Sequence, residues 1–260
     1  MTQRRRAVAI GSCLSNLTIA HLINDFGFQQ ALCVHHMRSD AFVDYVVQRR
    51  STMIPASFLD DYLKPRPAFD TDARAFLRNQ YPDTMGFFQL PAPPAADFVR
   101  CLTQERYDVV LIDNFMDVAA KLMHCTTMPE FAERPLFLNP HFYANEDQIS
   151  TDFAFGDFLE PEQSAANILA IVRWVRALQP GARIGVLCFH TCSSRDNPDR
   201  LRRAAGFYPA FAALAAQDDV FVIPPVDVPP ALQVDGDWAH LVPAIYRGLA
   251  GSVYLRTVAG

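Results

Sequence analysis

No run of 18 or more apolar residues occurs in the 260-residue chain, so no segment has the length at which a helix crosses a bilayer. The start, Met1-Thr2-Gln3-Arg4-Arg5-Arg6, is basic, but the apolar run behind it ends at Ile10, too soon for a signal peptide. Both absences point to a cytoplasmic protein. An excess of positive charge is also missing. The chain has 23 Lys and Arg against 28 Asp and Glu, a net charge of -5, which argues against a general nucleic-acid binder. The cysteines, Cys13, Cys33, Cys101, Cys125, Cys188 and Cys192, are scattered without paired CxxC spacing. They make neither a disulfide framework nor a zinc site. His35, His36, His124 and His141 show no ligand-like partner pattern, so no metal is expected. Internal repeats and low-complexity tracts are absent, and Pro224-Pro225 with Pro229-Pro230 marks a stiff loop, not a linker. One domain spanning 1–260 follows.

What is present is apolar bulk: 50% of the residues are hydrophobic, enough for a sizeable core. Short apolar runs at 7–10, 30–35, 108–112, 183–189 and 220–223 read as buried strands. Helical spacing marks 14–26, through Leu17, Ile19, Leu22 and Phe26, and 160–178, through Ile168, Ile171, Val172 and Val175. Segments 40–47 and 93–105 also look helical, and 198–216 opens with Asn197 as N-cap and Pro198 as first helical residue. Strands alternating with amphipathic helices predict a three-layer α/β sandwich with a mainly parallel sheet covered on both faces. Segment 49–83, broken by Pro55, Pro65, Pro67 and Pro82, predicts an irregular, cap-like insertion of loops and short helices. A further strand is predicted over 86–90.

Three sets of polar residues fall just after predicted strands, where an open α/β sheet gathers its functional groups. Gly11-Ser12-Cys13 follows the first strand and precedes a helix. Helix-terminal N–H groups favour a thiolate there and can hold an oxyanion; a buried cysteine in a tight turn explains the same residues. Asp113-Asn114 follows the strand at 108–112. Its amide can serve an oxyanion, or one of the two side chains caps the next helix. Asp237-Trp238-Ala239-His240 follows the last strand. A carboxylate-held imidazole is a general base for Ser or Cys, and a loop histidine beside a capping aspartate is the plainer alternative.

Taken in order, the three sets resemble the GDSL/SGNH hydrolases. The resemblance makes Cys13 the nucleophile, with Ser12 replacing the family's aspartate. Asn114 matches the third-block asparagine, although Ile112 stands where a glycine is expected. His240 and Asp237 match the base and its orienting acid. The second-block glycine has no identifiable counterpart, and Gly86 is taken as its stand-in. A nearer similarity is to bacterial GSC-motif proteins of this superfamily, the GSCFA-type proteins and related domains of capsule and polysaccharide biosynthesis. It rests on Gly11-Ser12-Cys13, Arg50-Ser51, the stretch 107–114 and the stretch 237–246.

The thiol bears on the reaction. Attack by a thiol on an oxygen ester runs uphill to a thioester, whereas exchange with an acyl-thioester such as acyl-CoA is nearly balanced. Discharge to a sugar hydroxyl is then downhill. The resemblance therefore implies a cytoplasmic acyl-CoA-dependent O-acyltransferase acting on a carbohydrate. An O-acyl esterase with the same residues, or a non-catalytic binder of a glycan or nucleotide-sugar, is the alternative. Substrate-binding roles are expected for Ser12, Arg50, His190 and Arg195. His21, two turns after Cys13, is a second possible base or a helix-face histidine. Arg195, Arg200, Arg202 and Arg203 near a helix start suggest a CoA phosphate site or a solvated basic face.

Overall fold

The computed structural model describes residues 5–84, 97–190, 197–215, 219–234 and 237–258. Along the chain the strands are β1 (Arg6–Gly11), β2 (Gln29–His35), β3 (Val109–Asp113), β4 (Met123–Cys125), β5 (Phe153–Phe155), β6 (Arg183–Leu187), β7 (Val220–Ile223), β8 (Gln233–Val234) and β9 (Asp237–Leu241). The α-helices are α1 (Cys13–Phe26), α2 (Ser39–Phe42), α3 (Ala56–Tyr62), α4 (Asp70–Arg78), α5 (Phe98–Gln104), α6 (Phe115–Ala119), α7 (Glu146–Asp152), α8 (Pro161–Leu178), α9 (Pro198–Ala215) and α10 (Pro243–Val258).

Five strands form a wholly parallel central sheet in the order β2-β1-β3-β6-β7. Ala7, Val8 and Ala9 of β1 and Val109 to Ile112 of β3 are fully buried. A sheet covered on both faces asks for such continuous apolar runs in place of alternation. The chain starts in the interior at β1, steps outward to β2, then returns past β1 to β3. Right-handed crossovers put α1 on one face and α8 and α9 on the other, and α10 packs against α1. The result is the expected three-layer α/β sandwich.

Local chemistry sets the helix ends. Ser12 Oγ accepts the Leu14 N–H at 3.0 Å to start α1, and Gly27, at φ 71, ends it in the left-handed conformation glycine adopts without a Cβ penalty. Glu160 and Gln163 form a capping box on α8, with Pro161 in its first turn. That helix buries Ile168, Ile171, Val172 and Val175, the stripe read from the spacing.

Several segments differ from expectation. The helix predicted over 40–47 is α2 followed by a π-helical turn at Val43–Val47. Segment 49–83 holds two helices, α3 and α4, and does not stand alone. It packs with the β4–β5 hairpin and α7 around a second, smaller core that includes Leu59, Leu77, Tyr143, Ile149 and Phe153. The cap is thus built from two stretches far apart in sequence. The strand predicted over 86–90 lies outside the described residues. Asp237 to His240, read as following the last strand in a loop, lies in β9, which pairs with β8 as an antiparallel hairpin. Among the described residues no helix is long and apolar enough to cross a membrane.

Candidate active site

The sheet order reverses between β1 and β3, and the carboxyl ends of strands at such a switch point form the ligand crevice of open α/β sheets. Gly11 ends β1 there and Asp113 ends β3. A Cβ at Gly11 would overlap the Asp113 carboxylate, so only glycine lets the strands approach this closely. Asp113 then clamps the turn. Its carboxylate accepts the Ser12 N–H at 2.7 Å, Ser12 Oγ at 2.9 Å, the Ser15 N–H at 3.0 Å, Ser15 Oγ at 2.6 Å and the Phe115 N–H at 3.0 Å. Burial pushes the Asp113 carboxyl above its ordinary value, while the hydrogen bonds from Ser15, Phe115 and Ser12 pull it back. The clamp holds the backbone that presents Cys13.

Cys13 is the first residue of α1 and is half-buried. Aligned N–H groups at a helix start favour negative charge on its sulfur. Burial pushes the Cys33 thiol well up and the Cys188 thiol to about 12, and raises Cys101 as well. Cys13 and His240 line one pocket, about 320 Å³ in volume, between the sheet edge and the cap.

Asn114 follows β3 and is 1% exposed. Its Oδ1 accepts the Phe189 N–H at 2.6 Å, which fixes the amide plane. Its Nδ2 is buried without a hydrogen-bond partner. A buried donor left unpaired costs about 1–3 kcal/mol and calls for an explanation. Phe115 and Phe189, its chain neighbour and its hydrogen-bond partner, both line the pocket. An unpaired, fixed amide donor is of the kind that can serve an oxyanion. The capping alternative does not apply to Asn114: it makes no side-chain cap bond to α6, and Asp113 takes the Phe115 N–H instead.

Other expected site residues are placed differently. Ser12 lines the pocket, and its hydroxyl donates to Asp113 and accepts from the Leu14 N–H, capping α1. Arg50 is largely exposed and pairs with Asp44 at 3.3 Å, and it is not among the residues lining the Cys13 pocket. His190 is 2% exposed, and it is Phe189 before it that reaches the pocket wall. Arg195 lies outside the described residues, as does the side chain of Asp237. His21 Nδ1 meets Asp25 at 2.7 Å one turn along α1, so the helix-face reading holds for it. Arg203 is used structurally. Its guanidinium donates to the carbonyls of Asp117, Val118 and Leu159 and stacks on Phe158. Arg200, Arg202 and Arg203 share their groove with Lys121 and with Asp157, Glu160, Glu162 and Asp199, a surface of mixed charge. No group of three or more potential metal ligands occurs among the described residues.

Three features escaped the sequence reading. Asp113 is the clamp, a role that local spacing does not reveal. His36 lines the pocket with Cys13 and His240. It is 8% exposed, sits at φ 58, and its ring meets Phe76 edge-on at 3.8 Å. A non-glycine residue held at positive φ stores strain of about 1–3 kcal/mol, a feature concentrated at functional sites. Its position directly after β2 was the available signal. The third feature is the aromatic cap wall, with Phe76, Phe137 and Phe142 facing the sheet edge.

Neither a protein-family model nor a curated protein matches this chain. Among solved structures, a DUF4886 family protein from Bacteroides uniformis is similar with a TM-score of 0.51 at 11% identity, over 98% of this chain and 83% of that one. An alpha/beta hydrolase enzyme, LAE5, from the metagenome of Lake Arreo gives 0.48 at 10% identity, over 97% and 94%. A variant of Axe2, an acetyl-xylooligosaccharide esterase from Geobacillus stearothermophilus, gives 0.47 at 9% identity, over 100% and 97%. What the likeness to the Bacteroides protein shows is a shared α/β fold.

Proposed function

We propose that the chain is an acyl-transfer enzyme of SGNH-like design with Cys13 as nucleophile, working in the cytoplasm as an acyl-CoA-dependent O-acyltransferase on a carbohydrate hydroxyl. One observation carries the reading: a thiol at the start of α1 and an imidazole from β9 line the same pocket, whose wall residue Phe189 is hydrogen-bonded to Asn114, a buried amide with an unpaired donor. The order of Gly11-Ser12-Cys13, Asn114 and Asp237-x-x-His240 along the chain supports it, through the resemblance to GSC-motif proteins of polysaccharide biosynthesis.

The steps follow from these groups. The Cys13 thiolate attacks the thioester carbonyl carbon, and the oxyanion is held by the Cys13 N–H and Asn114 Nδ2. The bond from carbon to the CoA sulfur breaks, and CoA leaves as the thiol with the proton that His240 took from Cys13. His240 then removes the proton of the acceptor hydroxyl, whose oxygen attacks acyl-Cys13. The carbon–sulfur bond breaks and Cys13 regains its thiol. Asp237 is the orienting acid of His240 in this scheme. The first half-reaction exchanges one thioester for another, so it needs no energy input.

Mass spectrometry after mixing with an acyl-CoA tests the proposal. An acyl adduct on Cys13 that is lost in Cys13→Ala, and that transfers to an added sugar, is the expected result. Rapid release of the acid without acceptor would favour the esterase. No adduct from any thioester would leave a binding module.

A further inference from the structure

The pocket beside Cys13 has a composition that the chemistry of acyl transfer does not itself require. Its walls are hydrocarbon: Phe76 and Phe137 from the cap, and Phe115, Met116, Ala119 and Phe189 from the sheet side. The rings are packed together. Phe115 meets Phe189 at 4.6 Å, and Phe76 meets Phe137 at 6.3 Å, both edge-to-face. Phe76 also stacks on Phe142 at 5.4 Å. Among the described residues, the polar groups on the lining besides the Cys13 thiol are those of Ser12, His36, Asn139 and His240, and the Ser12 hydroxyl is already engaged.

The volume of about 320 Å³ holds roughly ten water-sized heavy atoms at ~30 Å³ each. An acetyl group would fill about a third of that space. A sugar ring would set its hydroxyls against rings and a thioether, where unpaired polar groups are penalised. We infer that this pocket is an acyl-chain site and that the donor carries a medium-length aliphatic acyl group of about six to ten carbons, not acetyl. The inference rests on Cys13 accepting the acyl group. With the carbonyl at Cys13, the chain runs between α6 and the cap rings, where Ala119 and Phe137 both line the space it takes. The acceptor hydroxyl approaches from outside the pocket.

Two chain-length series separate this inference from the catalytic proposal. The first uses acyl-CoA thioesters from acetyl to dodecanoyl and reads acylation of Cys13 by mass spectrometry. The rate at low substrate should rise about threefold to fourfold per methylene as far as hexanoyl to decanoyl and then fall. In Ala119→Phe the optimum should move to shorter chains, with octanoyl losing at least about tenfold relative to acetyl. The second uses alkyl methanethiosulfonates from methyl to octyl. These form a disulfide with any accessible thiolate and release methanesulfinate, so they need no catalysis. Labelling of Cys13, divided by the rate on glutathione, should climb with chain length in the unmodified protein and flatten in Ala119→Phe.

A climbing thiosulfonate series without thioester acylation would keep the pocket and remove the transferase. Acylation equally fast for acetyl and octanoyl, with a flat thiosulfonate series, would keep the enzyme and overturn the acyl-chain site. A length preference indifferent to Ala119→Phe would overturn it as well.

Discussion

At the sheet edge, one buried carboxylate gathers five donors from the turn after β1 and the starts of α1 and α6. Across the pocket, the cap presents stacked rings to the same space. The two walls do different work. Hydrogen bonds are directional, so the polar side can hold a thiol and an amide at fixed positions. Hydrocarbon packing is not directional, so the apolar side selects by volume and excludes water. Reactivity should therefore follow the sheet edge and selectivity the cap, and each wall should be breakable without the other.

The largest effect is expected at the clamp. Asp113→Ala leaves the N–H groups of Ser12, Ser15 and Phe115 buried without an acceptor, which should destabilise the protein by about 3–5 kcal/mol and abolish Cys13 chemistry. Chemical denaturation with thiol labelling reads both. A stable Asp113→Ala protein with unchanged Cys13 reactivity would break the comparison at its polar end.

The cap should fail differently. Leu59 is fully buried in its small core, and Leu59→Ala should cost about 2–5 kcal/mol. Because that core is separate from the main one, the loss should show in hydrogen exchange over α3, α4 and the β4–β5 hairpin before it reaches the central sheet. Uniform loss of protection would mean that the two walls form one cooperative unit.

Asn114→Ala should remove a transition-state donor. Turnover is expected to fall by about a hundredfold to a thousandfold, with KM nearly unchanged. An equal rise in KM would assign the amide to substrate binding instead.

A second buried carboxylate, Asp117, sharpens the contrast with Asp113. It accepts the Ser39 N–H at 2.8 Å and bonds Ser164 Oγ, tying α6 to α2 and α8. Burial pushes its carboxyl up to about 6, against opposing hydrogen bonds from Ser164 and Ser39. The folded state therefore holds this proton more tightly than the unfolded chain does. The stabilisation is complete below about pH 4 and is lost as pH rises through 6, by about 3 kcal/mol in all. Asp117→Asn should lack that loss, so the stability difference between variant and parent should grow in the variant's favour from pH 4 to pH 7. Urea denaturation across that range measures it, and a constant difference would refute the assignment.

The smallest effect belongs to Arg50. Its ion pair with Asp44 is exposed, so Arg50→Ala should change stability by no more than about 0.5 kcal/mol and leave acylation of Cys13 untouched. A large loss of acylation would restore the substrate-binding role expected from its place in the Arg50-Ser51 motif.

Much of the framework was legible in the chain. The runs at 7–10, 108–112, 183–189 and 220–223 are apolar because a two-sided sheet buries every side chain, and the stripe on α8 repeats at helical spacing. Gly11-Ser12-Cys13 was visible because strand, turn and helix are consecutive. The cap was only half visible. Phe76, Phe137 and Phe142 meet across about sixty residues with no shared period, since ring contacts of that kind depend on how two segments fold back together. Asp113 and Asn114 could be placed after a strand, but which of them capped the helix and which kept a spare donor depended on distant groups, Ser12 and Phe189. The sequence by itself determined where strands end and which polar residues stand there, because periodicity and turn chemistry are local. Only the tertiary structure decided that His36, Cys13 and His240 share one pocket and that Arg50 and His190 do not line it, because those outcomes turn on packing between segments that no local pattern encodes.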